Sequence, residues 1–177
     1  MCVYVLTDEH MSNRQSYVYA SPEIAALFRP LRWGTTLGLR LFEASCDTPS
    51  VVLCSTISDY KLHREIHLPY YTSNQRIWFG IQCALAVYNK PVFVSWAENW
   101  INGADRSKET ADAVYQNLRH IDVNAAYWIT NAVSCGEVSW AATAAMYAAG
   151  RIYPGINFVD IALQALWFER EFQEIDF

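Results

Sequence analysis

Trp96, Glu98, Trp100, Asp105, Arg106 and Lys108 form the densest mixture of chemically useful side chains in the chain. Trp96 and Trp100 stand four apart, so a helix sets both indoles on one face. Two basic residues and one acidic residue follow at once. Indole faces beside a guanidinium can stack a base or a cation, and the two basic side chains can hold a small anion. Trp96, Trp100, Arg106 and Lys108 are therefore the candidate ligand-binding residues. The same residues also describe a packed corner, in which the tryptophans are core, Asp105 caps a helix and Arg106 lies at the surface.

Other constellations carry less. His63, Glu65 and His67 share one face of a strand-like segment, and two histidines with a carboxylate can bind zinc. Along a strand, however, they spread over roughly 13 Å, too far for one ion. Asp8, Glu9 and His10 form an acidic loop with no nucleophile beside it. No GxSxG, HExxH, Gly-rich phosphate loop or paired Cys/His site occurs. No catalytic residue, metal ligand or cofactor is assigned.

The elements that must position these residues follow from periodicity and punctuation. Phe93, Trp96, Ala97, Trp100 and Ile101 keep the i, i+3, i+4, i+7, i+8 rule of a helix with one apolar face. Asn102-Gly103 closes it, and Asp105 or Ser107 caps the next helix, to about Leu118. Before this pair of helices, Cys2 to Thr7, Tyr17 to Ala20, Leu39 to Cys46 and Val51 to Ile57 read as strands. Ser21-Pro22 opens a short helix that Pro30 stops. Tyr60 to Leu68 alternates with period two, placing Leu62, Arg64, Ile66 and Leu68 on an apolar face. Arg64 there needs the rim or a partner carboxylate. Thr72 to Gln75 fits a capping box opening a helix to about Tyr88 that is apolar nearly all round, hence central.

From Ala104 onward, 14 of 74 residues are alanine, against 7 of 103 before it. Helices are expected from about Val123 to Ser134 capped by Asp122, from Glu137 to Ala149 ending at Gly150, and from Asn157 to about Glu174. Alanine contacts let their axes approach closely. Trp128, Trp140, Tyr147, Trp167 and Phe168 are expected to fill the gaps. The fold class is thus α+β: a small antiparallel N-terminal sheet packed on a long helix, then an antiparallel Ala-rich helical layer. It is read as a single domain, 1–177, with a sheet-plus-helix half (1–90) and a helical half (91–177).

The 177 residues are 53% hydrophobic but only 18% charged, with 7 Trp, 11 Tyr and 8 Phe. So few charges leave apolar surface to cover, and a homo-oligomer is expected. The net charge of −5 and the scattered Lys and Arg exclude duplex nucleic acid as a partner. The five cysteines, Cys2, Cys46, Cys54, Cys83 and Cys135, lack ligand spacing and are expected to be reduced, buried and inert. The opening residues show no secretory signal and no apolar run reaches a membrane-spanning length, so a cytoplasmic protein without membrane contact is expected.

Five stretches occur in order: RLFEAS (Arg40 to Ser45), LHREIHLP (Leu62 to Pro69), QRIWFGIQCALAVY (Gln75 to Tyr88), WAENWINGADRSKETA (Trp96 to Ala111) and an Ala/Trp/Tyr-rich tail. Together with YVLTDEHM (Tyr4 to Met11), this pattern resembles an uncharacterised family of bacteriophage and prophage accessory proteins. The resemblance implies a phage origin and no established catalytic residues. It implies a non-enzymatic accessory binding protein in the host cytoplasm, antagonising host defence by sequestering a signalling nucleotide or binding a host protein. The order of strand, polar loop, YVYAS, short helix and LRLFEAS also resembles ADP-ribosyltransferase-like folds, which implies an enzyme as the alternative.

Overall fold

A computed structural model of the chain describes residues 2–7, 16–28, 40–47, 53–57, 59–119, 124–150 and 156–168. The chain divides into two compact units, Met1–Tyr71 and Thr72–Phe177. The architecture is α+β, with an antiparallel sheet in the first unit and a helical layer in the second.

The sheet is built from β1 (Cys2–Thr7), β2 (Ser16–Tyr19), β3 (Arg40–Ser45), β4 (Cys54–Ile57) and β5 (Lys61–Ile66). Their order is β4-β2-β1-β3-β5, and every neighbouring pair is antiparallel. β1 is central because its β-branched and aromatic residues suit a strand buried on both faces. Each of its residues finds a partner on β3, from Cys2 opposite Ser45 to Thr7 opposite Arg40. Val3 and Val5 share one face and form a core cluster with Val18, Ala44 and Cys46. Leu6, Tyr19 and Leu41 are buried on the other face. Between β2 and β3 lies α1 (Pro22–Leu27), which contacts β1 and β2. Ser21 caps it by accepting the Ile24 N–H at 3.2 Å, and Pro22 starts it. The residues Asp8, Glu9, His10 and Pro30 and the segment 32–38 lie outside the described residues.

The period-two reading of β5 is corrected by a bulge. Arg64 pairs with Glu43 and Leu62 with Ala44, adjacent residues of β3 that face opposite ways, so His63 is the extra residue. Leu62 and Arg64 therefore leave the common face that alternation assigns them. Leu62 is 41% exposed rather than core. Arg64 finds the carboxylate it needs, donating from Nε to Glu43 Oε2 at 2.5 Å. As an edge strand, β5 exposes Lys61, His63, Arg64 and Glu65, charges that discourage pairing with another chain.

The second unit holds α2 (Ser73–Leu85), α3 (Pro91–Ile101), α4 (Lys108–Leu118), α5 (Ala125–Cys135), α6 (Trp140–Gly150) and α7 (Phe158–Trp167). The centrality expected of α2 is found here, since it contacts α3, α5, α6 and α7. Those partners place it in the unit that begins at Thr72, whereas the sequence division groups it with the sheet. Its capping box forms: Thr72 accepts the Gln75 N–H at 3.1 Å, and Gln75 Oε1 accepts the Thr72 N–H at 3.0 Å. The buried Gln75 amide also donates to the carbonyls of Leu166 and Phe168 at 3.0 and 3.3 Å, satisfying the end of α7.

Small residues bring the helices together. Ala141, Ala144, Ala145 and Ala148 line the buried side of α6, and Ala162 and Ala165 that of α7. On α2, a Cβ at Gly80 would lie 2.6 Å from Ile129 Cδ1 and 3.2 Å from the Cα of Ala141. Only a bare Cα allows α2 to approach α5 and α6 so closely.

Several boundaries differ from expectation. Asn124, not Asp122, caps α5 by accepting the Tyr127 N–H at 3.1 Å, and Asp122 lies outside the described residues. Gly136 ends α5 at φ +72°, as its position after the apolar run predicts. α6 begins three residues late, at Trp140, and α7 ends at Trp167, with residues 169–177 outside the description. Of the tail aromatics, Trp128 stacks on Trp140 at 4.6 Å and packs beside Tyr147 at 5.7 Å. Trp167, expected in a gap, is 65% exposed because it falls on the stripe opposite Phe158, Ala162 and Ala165. Two cysteines are likewise exposed: Cys2 opens β1, and Cys135 ends α5 beside its glycine cap.

Candidate functional site

The candidate residues sit on α3, α4 and the turn between them. Pro91 starts α3 with φ already set, and the spacing of Phe93, Trp96, Ala97 and Trp100 buries one face. Three carbonyls of its last turn are satisfied. The carbonyls of Glu98, Asn99 and Trp100 accept the N–H groups of Asn102, Asp105 and Gly103. Arg106 Nε adds a bond to the Trp100 carbonyl at 2.9 Å. Gly103 takes φ +74°, which turns the chain into α4. Ser107 caps α4, accepting the Thr110 N–H at 3.4 Å. Asp105 in turn accepts the Ser107 N–H at 2.8 Å. Hydrogen bonds from Ser107, through its hydroxyl and its backbone, hold the Asp105 carboxyl below its ordinary pKa.

This geometry separates the four residues singled out in the sequence. Trp100 is buried and stacks on Phe168 at 6.0 Å, and Phe168 stacks on Trp78 at 5.6 Å. The Arg106 guanidinium lies 4.7 Å from the Trp100 ring and 5.4 Å from that of Phe168. Trp100 and Arg106 thus come together, but each is occupied by the other and by Phe168. Lys108 points elsewhere, its Nζ lying 3.1 Å from where a Gly136 Cβ would be, beside the C-terminus of α5. A cation there offsets the negative end of the helix.

Trp96 lines a groove of about 260 Å³ between α3 and α4. From α3 come Val92, Ser95, Trp96 and Asn99, one face at helical spacing. Opposite them stand Asp105, Thr110, Ala113 and Val114. The sequence reading names Trp96 as a ligand residue and Asp105 as a cap, and passes over the others. The repeat Val92, Ser95, Trp96, Asn99 was legible, but the matching face of α4 depends on how the turn aims that helix.

Polar contacts join β1, β3 and β5. Cys2 Sγ donates to Glu43 Oε1 at 3.4 Å, Glu43 pairs with Arg64, and His63 Nε2 lies 2.9 Å from Ser45 Oγ. Arg40 pairs with Glu65, and its guanidinium lies 5.0 Å from the Phe42 ring. The two ion pairs join β5 to β3 on opposite faces of the sheet, and exposure to water keeps the contribution of each small. Among the described residues, no group of three His, Cys, Asp or Glu is placed to hold a metal ion.

The helices α6 and α7 present a third feature. α6 has no charged residue, and α7 has only Asp160. Yet Met146 and Tyr147 of α6 are 50% and 41% exposed, and Leu163 and Trp167 of α7 are 41% and 65% exposed. Leu163 and Trp167 stand four apart, adjacent on one helix face. No described helix is long and apolar enough to cross a membrane.

No protein-family model, curated protein or solved structure matches this chain.

Proposed function

We propose that this chain is a non-enzymatic binding protein, a bacteriophage accessory factor acting in the host cytoplasm, that self-associates and covers a host protein. The observation that carries this reading is the exposed apolar pair Leu163 and Trp167, adjacent on α7, with Met146 and Tyr147 exposed on α6. Helices so nearly free of charge are ordinarily buried, and exposed apolar side chains that gather on one face mark interaction sites. Protein capture is better supported than nucleotide sequestration. Arg106 is bound to Trp100, and exposed Lys108 lies by the end of α5, so the two basic side chains do not converge on one phosphate.

Light scattering and native mass spectrometry at micromolar concentration test self-association, and capture from bacterial lysate tests the host partner. Leu163→Glu with Trp167→Glu should abolish both while leaving the helical circular dichroism unchanged. A monomeric wild type with an empty capture overturns the proposal, as does NAD consumption by the purified chain in lysate. A monomer that captures one stoichiometric partner through Leu163 and Trp167 retains protein binding and removes self-association.

A further inference from the structure

We infer that the α3–α4 groove is a docking pocket for a basic, partly apolar segment of a protein partner, one arginine or lysine flanked by aliphatic residues. The inference rests on the binding-protein reading but uses a surface separate from α6 and α7. Size decides first. At about 260 Å³, the groove falls below the roughly 300–1,000 Å³ of sites that enclose a drug-sized ligand, and so below a nucleotide. It is the size of one inserted side chain.

Charge decides next. Asp105 is the only charged residue among those lining the groove. An ionised carboxylate offers about four acceptor sites, more than the donors of Ser107 and Thr110 occupy. Exposed Glu98 lies three residues from Ser95, and exposed Glu109 lies four residues before Ala113. Both are therefore helix-surface neighbours of the lining and extend its negative potential. Of the basic residues within two positions of the lining, Arg106 is directed onto Trp100 and Phe168 and Lys108 to Gly136, which leaves exposed Lys90 at the start of α3.

The wall supplies the apolar component. Val92, Trp96, Ala113 and Val114 give it aliphatic and aromatic surface, and Val92 remains 44% exposed. Trp96 is 5% exposed, and its indole Nε1 is buried with no hydrogen-bond partner. A long side chain with an apolar stem and a charged head matches such a surface, with the stem on the wall and the head at Asp105.

The test uses the whole chain, ¹⁵N-labelled, titrated with acetyl-Leu-Arg-Leu-amide and, separately, acetyl-Leu-Glu-Leu-amide. The arginine peptide should shift the amides of Asn99, Thr110 and Ala113 and the Trp96 indole N–H saturably, at millimolar concentration. Asp105→Asn keeps the carbonyl that accepts the Ser107 N–H and should weaken binding about three- to tenfold. Ala113→Leu, on an exposed position, should fill the groove and abolish the shifts. Equal shifts with the glutamate peptide, no shifts with either, or unchanged affinity in Asp105→Asn overturn the proposal. Equal affinity for n-butylammonium reassigns the groove to a small amine, and the same shifts on raising protein concentration alone reassign it to a second copy. Both outcomes overturn the peptide reading. Failure here leaves the α6 and α7 proposal standing, because Leu163 and Trp167 do not line the groove.

Discussion

Replacing Gly80 with alanine sets two effects of known sign against each other. In a helix interior, alanine is favoured over glycine by about 0.8–1 kcal/mol. Against this, the new methyl would lie 2.6 Å from Ile129 Cδ1, 3.1 Å from the Ala141 Cβ and 3.2 Å from the Ala141 Cα. Carbon atoms are comfortable at about 3.5–4.0 Å. Ile129 can move its terminal methyl only within a site where it is fully buried. Ala141 belongs to the backbone of α6, so its conflict is relieved only by moving that helix. Overpacking of this kind costs about 1–3 kcal/mol. The expected net effect is a loss of up to about 2 kcal/mol, read as a lower urea midpoint of the helical circular dichroism signal at unchanged slope. Gly150→Ala is the control, since nothing lies within 4 Å of a Cβ there. It should be neutral or stabilise by up to about 1 kcal/mol. Adding Ile129→Val to Gly80→Ala removes the nearest atom and should cost less than the sum of the two single changes. If Gly80→Ala stabilises as much as Gly150→Ala, the close approach of α2 to α5 and α6 is wrong.

Arg106→Met should cost about 1–2 kcal/mol, because it removes both the guanidinium from the Trp100 face and a hydrogen bond to a helix-end carbonyl. Urea unfolding followed by tryptophan emission reads this, and unchanged stability would show that Arg106 is not structural. Gln75→Ala should cost about 1–3 kcal/mol by removing half the capping box and the donors to Leu166 and Phe168, with hydrogen exchange in α7 accelerated. Exchange confined to α2 would refute the link between the helices. The hydrogen bonds from Arg64 to Glu43, from Arg40 to Glu65 and from Ser107 to Asp105 hold these three carboxyls below their ordinary values. Groups with depressed folded-state pKa values contribute stability above the unfolded value and lose it as pH falls through the folded one. The urea midpoint should therefore fall on acidification below about pH 4. Carboxyl ¹³C titration should place all three midpoints low, and ordinary midpoints would refute the pairings.

The helix ends were the most legible part of the chain, because capping is local chemistry. Ser21, Thr72 with Gln75, Asn157 and Gly136 all stand where their types announce an end. The apolar spacing of Phe93, Trp96, Ala97 and Trp100 likewise fixed both the extent and the buried face of α3. Periodicity failed at β5, because a bulge changes register without leaving a mark in composition. It also failed for Trp167, where an aromatic residue says how much surface needs covering but not what covers it.

By itself, the sequence determined the fold class, the order of elements and the residues around which a site was sought. Those properties rest on neighbours within about four positions, which any stretch of chain carries with it. Tertiary structure alone decided which candidate residues share a site. It sent Arg106 onto Trp100 and Phe168, residues 6 and 62 positions away in opposite directions along the chain, and Lys108 to Gly136. It also set Asp105 and Thr110 across from Ser95, Trp96 and Asn99, in a groove that Trp96 lines without Trp100, Arg106 or Lys108. The reason is geometric. A turn of six residues between two helices aims the second helix in space, and that direction depends on everything the helices pack against.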